Sequence, residues 1–153
     1  MKHFWDEKKT IQLTKLVIVL FFVAMLAVDF GAFGFVQFLC GALSKDHGQA
    51  GFTTLLLCLY LCSVPMYCLL FDLYHLLCNL QAGQVFIPQN VKHLRRASWC
   101  CFAAAIICLG GLWYWPSLLL VSIAAAFVAL IIRVIKNIFD QAIGMKTELD
   151  FTV

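Results

Sequence analysis

Four long apolar blocks dominate the sequence and limit what the chain can fold into. They occupy residues 16–40, 52–77, 97–115 and 116–132, and a helix needs about 20 consecutive apolar residues to cross the hydrocarbon core of a bilayer. Overall, 63% of the residues are hydrophobic and 12% are charged, whereas ordinary soluble domains contain roughly 45–50% apolar residues. The chain is therefore predicted to be an all-α integral membrane protein with the lipid bilayer as its solvent.

The blocks predict four transmembrane helices within a single membrane domain, residues 1–153. Pro65 lies inside the second helix, where it removes a backbone donor and crowds the preceding turn, so a kink is predicted there. The first block is longer than the roughly 7–15 residues of a secretory h-region, so we expect it to stay on the mature protein as a signal anchor. The approximate helix bounds are 12–40, 52–80, 97–114 and 116–143, with an inner loop at 81–96 and a C-terminal tail at 144–153.

Lysine and arginine are distributed very unevenly along this pattern. Of the eleven Lys and Arg residues, only Lys45 falls in the first loop. The others lie before or at the start of the first helix, in the second loop, or towards the end of the fourth helix and beyond it. Because cytoplasmic loops carry the excess of Lys and Arg in membrane proteins, both termini and the second loop are predicted to be cytoplasmic. The predicted location is the cell membrane, with multiple crossings.

Three ionisable side chains fall inside the apolar blocks and are candidate intramembrane polar residues: Asp29, Asp72 and His75. An aspartate at the bilayer centre costs about 2.5–3.5 kcal/mol on insertion scales, so each residue is a candidate for function. A packing role is the alternative, in which Asp72 and His75 reach headgroups or bond each other one helical turn apart. At about 1.5 Å rise per residue, Asp29 is expected to lie about ten or more ångströms from the other two along the membrane normal.

No motif in the sequence indicates catalysis or metal binding. The eight cysteines include no C-x-x-C pair, and thiols in apolar blocks behave as small hydrophobes. His75 with Cys78 and Asp72 lacks the fourth ligand of a tetrahedral metal site. The sequence also has no phosphate-binding loop, G-x-S-x-G elbow or H-E-x-x-H pair. We therefore expect no enzymatic activity, no metal or other cofactor, and no direct contact with nucleic acid.

From the second helix through the tail, about two thirds of the chain, the sequence resembles an uncharacterised bacterial membrane family, the domain-of-unknown-function family 2975. The resemblance rests on Pro65, on the direct entry into the third helix, and on three segments: Gly83-Gln-Val-Phe86, Pro-Gln-Asn90-Val-Lys-His-Leu94-Arg95 and the terminal Glu148-Leu-Asp150-Phe-Thr152-Val153. Family members are similar in having four helices, a Phe-x-x-x-Asn-x-x-x-Leu-Arg inner loop and a short acidic tail. This chain departs from the pattern with Phe151 in place of the usual leucine and with a less charged segment at residues 141–145.

Members of that family are often encoded beside a small helix-turn-helix regulator, so the resemblance implies a cytoplasmic transcription regulator as a partner. The predicted docking surface comprises residues 86–96 and 143–153. Its candidate contacts are Phe86, Asn90, Leu94, Arg95, Asp150 and Thr152. The alternative function is a small transporter or a channel-like homo-oligomer that uses Asp29 as its intramembrane polar site.

Overall fold

The computed structural model describes residues 2–42 and 48–151, with side chains described for residues 9–42 and 48–149. Every regular element in these ranges is a helix, which confirms the predicted all-helical class. The five helices are α1 (Lys2–Phe30), α2 (Ala32–Ala42), α3 (Gly48–Gln81), α4 (Pro88–Gly110) and α5 (Leu118–Phe151).

Three helices in the described part of the chain are long and apolar enough to cross a membrane. These stretches are Lys9–Phe30 in α1, Gly48–Gln81 in α3 and Leu118–Leu149 in α5. Many large apolar side chains on them are exposed, among them Leu20 and Leu120, as expected where lipid replaces water around the protein. Helix α4 is not among the three, because its first turns are basic and its apolar part, residues 97–110, is shorter than the roughly 20 residues of a full crossing.

The first predicted helix consists of two helical segments, α1 and α2, that meet at Gly31. The amide of Gly31 donates to the carbonyl oxygen of Ala27 at 3.0 Å, and the carbonyl oxygen of Gly31 accepts from the amide of Phe35 at 2.9 Å. Helical hydrogen bonding therefore continues across the boundary between α1 and α2. Both segments pack against α3, with the Phe22 and Tyr67 rings 5.2 Å apart.

The other helix ends also differ from the sequence prediction. Pro88 followed by Val91, Leu94 and Ala97 predicts a short helix within the inner loop that runs into the third helix, and α4 begins at Pro88 and continues without a break into the third apolar block. Proline is well suited to the first turn of a helix. Helix α5 begins at Leu118, after a turn that contains Pro116, and runs to Phe151 through residues assigned to the tail. Helix α3 stays helical across Pro65, and a kink there remains a prediction.

Side-chain hydrogen bonds fix the antiparallel alignment of α3, α4 and α5. At one end of the α3–α4 pair, the indole Nε1 of Trp115 donates to the carbonyl oxygen of Gly51 at 3.1 Å. At the other end, Arg96 donates to Asp72. The α4–α5 pair is joined by Ser98 Oγ to the carbonyl oxygen of Ala129 at 3.0 Å and by Ser122 Oγ to that of Ala105 at 2.9 Å. Small residues at a helix contact, such as these serines and the alanines that they bond, allow close helix packing in membranes.

The packing order of the long helices is α1, α3, α4, α5. This order brings the start of α1, the end of α3, the start of α4 and the second half of α5 to one end of the molecule. All described Lys and Arg side chains lie there, and we call it the basic end. They are Lys9, Lys15, Lys92, Arg95, Arg96, Arg133, Lys136 and Lys146.

Candidate docking site and intramembrane polar clusters

Asn90 holds the α3–α4 loop at the basic end in one conformation. Its side chain is fully buried, and its Nδ2 donates to the carbonyl oxygens of Gln84 at 2.9 Å and Val85 at 2.8 Å. Its Oδ1 accepts a hydrogen bond of 2.8 Å from Asn79 Nδ2 near the end of α3. Gly83 takes the left-handed conformation, φ +76°, that this turn requires. The loop is therefore an ordered surface, fixed from inside.

This loop presents apolar and basic side chains together. Phe86 is 47% exposed, and its ring lies 5.8 Å from that of Phe139 on α5. Lys92 and Arg95 are exposed on the first turns of α4. Next to them is a shallow depression of about 590 Å³, lined by Gln84, Ile87, Pro88, Gln89 and Lys92.

A buried carboxylate links α3 to the start of α4. Asp72 is 2% exposed, and its Oδ1 accepts from Arg96 Nη2 at 2.6 Å and lies 2.8 Å from Nδ1 of His93. Because a carboxylate only accepts hydrogen bonds, Nδ1 of His93 is the donor in this pair. The His75 ring stacks on that of His93 with centroids 5.8 Å apart, while its Nδ1 lies 3.1 Å from the carbonyl oxygen of Phe71. Asp72 thus bonds to residues of α4, and His75 is an outer neighbour of the cluster.

A second polar cluster joins α1 to the middle of α3. Ser63 Oγ donates to Asp29 Oδ1 and Tyr67 OH donates to Asp29 Oδ2, both at 2.6 Å. Tyr60 OH donates to the backbone carbonyl oxygen of Asp29 at 3.1 Å. Each carboxylate oxygen of Asp29 therefore has one neutral hydroxyl donor on α3.

Asp29 also faces a cleft of about 700 Å³ between the helices. Helices α1, α3, α4 and α5 all contribute to its walls, which are apolar apart from Asp29 and Ser63 and a few thiols. The lining residues include Leu59 and Met66 of α3 and Leu94 and Ala104 of α4.

Two thiols, those of Cys62 and Cys108, meet across the α3–α4 contact with their sulfur atoms 3.9 Å apart. All eight cysteines are free. Within the described residues, no group of three or more His, Cys, Asp or Glu side chains could hold a metal ion. The thiols therefore pack between helices, as small hydrophobes do.

The candidate docking residues differ in accessibility. Phe86 and Arg95 are exposed, Leu94 is 9% exposed and packs into the interior, and Asn90 is fully buried inside the loop. The side chain of Asp150 and all of Thr152 lie outside the described residues.

Sequence reasoning missed the hydrogen-bond partners of the candidate residues. Ser63 and Tyr67 recur one helical turn apart on α3, as do His93 and Arg96 on α4, so each pair shares a helix face. That spacing was a usable signal, but it does not reveal which carboxylate each pair meets.

One family model matches this chain over residues 7–153, and its description is "Protein of unknown function (DUF2975)". Comparisons with curated proteins and with solved structures give no significant match.

Proposed function

The chain belongs to the DUF2975 family of proteins of unknown function, and from that premise we propose that it is a multi-pass membrane protein that docks a cytoplasmic helix-turn-helix regulator. The observation that carries the proposal is the exposed Phe86 on a loop fixed by buried Asn90. A preformed surface binds a partner without the entropic cost of ordering a loop.

The proposed topology has four crossings, α1 with α2, α3, α4 and α5, with the basic end in the cytoplasm. The hydrogen bonds of α4 support a crossing despite its shorter apolar part. They align residues 96–115 with residues 51–72 of α3, so the turn after α4 lies beside the start of α3. Concentration of Lys and Arg at one end is the pattern expected of cytoplasmic loops.

The chemistry of the loop favours a protein partner over lipid alone. Anionic headgroups attract basic residues by about 1 kcal/mol each, which accounts for Lys92 and Arg95 but requires no exposed phenylalanine beside them. Protein interfaces concentrate their energy in a few anchors, often aromatic, with charges around them. Phe86 flanked by Lys92 fits a partner with an apolar pocket and an acidic rim.

The test is capture of any helix-turn-helix regulator that is encoded beside this chain's gene, using full-length protein in mildly solubilised membranes. Phe86→Ala should reduce capture about tenfold or more, and Lys92→Ala should reduce it about threefold or less. The reason is that Phe86 would be buried by the partner as an anchor, which contributes more binding energy than a charge at the rim of the interface. Membrane insertion should be unchanged in both variants. The proposal fails if the regulator is not captured, or if capture depends only on total positive charge and falls smoothly with salt.

A second candidate function is transport through a small oligomer, favoured by one observation, the Asp29 carboxylate beside an open cleft. Asp29→Asn should then abolish a cellular phenotype at unchanged protein level, while Phe86→Ala leaves the phenotype intact. If the chain instead docks a regulator, Phe86→Ala should abolish the phenotype and Asp29→Asn should leave it intact.

A further inference from the structure

The cleft between the helices combines a large apolar wall with a single acidic group. Asp29 is the only ionisable carboxylate among its described lining residues, and neither Lys, Arg nor His lines it. The surrounding side chains include Met25, Leu73 and Val128. A molecule that fills this space meets one carboxyl group at one side and mainly apolar side chains on the others.

The hydrogen-bond partners of the Asp29 side chain are neutral hydroxyls. Ser63 Oγ lies 2.6 Å from Asp29 Oδ1 and 3.0 Å from the carbonyl oxygen of Leu59, and Tyr67 OH lies 2.6 Å from Asp29 Oδ2. No described Lys, Arg or His side chain forms an ion pair with it. Asp72 differs, because it has Arg96 at 2.6 Å. Ionised groups within a membrane normally pair with an opposite charge, and a cation that enters the cleft would supply such a partner for Asp29.

We propose that this cleft binds a lipophilic organic monocation, with the charged group against Asp29 and the apolar body along the walls formed by α3, α4 and α5. One carboxylate matches one positive charge, and the cavity of about 700 Å³ lies within the size range of small-molecule sites. Binding there requires neither docking at the basic end nor movement of the cation across the membrane.

Other occupants fit these observations less well. A lipid acyl chain fills the apolar walls but leaves the carboxylate unpaired. An inorganic cation such as Ca²⁺ takes about 6–8 oxygen ligands, whereas Asp29, Ser63 and Tyr67 supply few side-chain oxygens. A second copy of the chain offers no cation from its described apolar segments, because the described Lys and Arg lie at the basic end.

The experiment measures tetraphenylphosphonium binding to the full chain in lipid nanodiscs by equilibrium dialysis, with empty nanodiscs as the background. The charge of this probe is independent of pH. Neutral triphenylphosphine oxide provides a matched apolar probe. Saturable binding of the cation, at least tenfold tighter than that of the neutral probe, is the expected result.

Asp29→Asn should weaken cation binding at least tenfold, whereas Asp29→Glu should keep it within about threefold. Asp140→Asn is the matched control, because it makes the same chemical change on an exposed part of α5 outside the cleft, and it should bind like the unaltered chain. Circular dichroism and size-exclusion profiles identify any variant that misfolds, and the comparison of the cationic with the neutral probe on the unaltered chain then carries the test.

Three results would overturn the proposal. Equal binding of the cation by folded Asp29→Asn, or equal binding of the neutral probe, would mean that the cleft accepts apolar chains without regard to charge. Binding of neither probe would mean that the cleft takes no such ligand, and a dimer in the nanodisc would then identify a second copy as its cover.

Discussion

At the scale of single residues, Asn90 organises the docking surface without belonging to its exterior. The buried side-chain amide of Asn90 makes three hydrogen bonds. It donates two to the loop carbonyls and accepts one from the end of α3, which connects the loop to that helix. Alanine at this position would leave two loop carbonyls and the Asn79 amide without these partners. A buried polar group without a partner costs about 1–3 kcal/mol.

We therefore predict that Asn90→Ala lowers the free energy of unfolding by about 2–4 kcal/mol. Limited proteolysis should cut the α3–α4 loop faster in this variant. Gln89→Ala is the control, because Gln89 is the exposed neighbour, and it should unfold like the unaltered chain. Denaturant unfolding in detergent micelles measures both variants. Equal stability of the two would contradict the structural role given to Asn90.

The sequence indicated that the residues of this loop matter, but not which way each one faces. The spacing of Phe86, Asn90 and Leu94 places all three on one side of a helical turn, and the docking hypothesis treated them alike. The structure separates them, because only Phe86 is substantially exposed. The inward turn of Asn90 depends on carbonyl groups of the preceding loop, and periodicity says nothing about a loop's path.

At the scale of elements, the contact of α4 with its neighbours depends on small residues. A Cβ atom on Gly111 would lie 2.6 Å from Cδ1 of Leu118 and 2.9 Å from Sγ of Cys58, whereas one on Gly110 would meet no atom within 4 Å. The two adjacent glycines therefore differ in their tolerance of a methyl group.

Gly111→Ala is predicted to destabilise the α4–α5 hairpin by about 1–3 kcal/mol, the usual cost of overpacking. Gly110→Ala should be neutral or slightly stabilising, because alanine favours the helix more than glycine does. Thermal unfolding in detergent compares the pair directly. If Gly111→Ala melts at the same temperature as Gly110→Ala, the close contact of Gly111 with Leu118 and Cys58 is absent in solution.

Hydropathy predicted the long helices well and their boundaries less well. Apolar length identified the stretches that became α1, α3 and α5. The turn at Gly31 depends on local backbone geometry, which average hydrophobicity does not register. The start of α4 at Pro88 lies within a polar segment, and the apolar spacing of Val91, Leu94 and Ala97 was the signal for it. Arg96 in the early turns of α4 pairs with Asp72 of α3.

At the scale of the whole molecule, function is proposed at two distinct places. The basic end presents an ordered aromatic and cationic surface, and the second place is the cleft lined by Asp29. The docking proposal depends on the direction in which each helix crosses the bilayer. The critical helix is α4, because its apolar part alone is too short for a standard crossing.

Ser117 is the residue that reports on α4 most directly, because it is exposed in the turn between α4 and α5. A cysteine introduced there can be treated with a membrane-impermeant maleimide in intact cells, and peptide mass spectrometry then locates the label. Single cysteines at Gln89 and Lys146 provide controls for the basic end, and one at Asp46 reports on the first loop. We predict labelling at positions 117 and 46 from outside, and at positions 89 and 146 only after the cells are broken open. Labelling at position 117 only in broken cells, with position 46 still labelled in intact cells, would mean that α4 does not cross the membrane and would contradict the four-crossing topology.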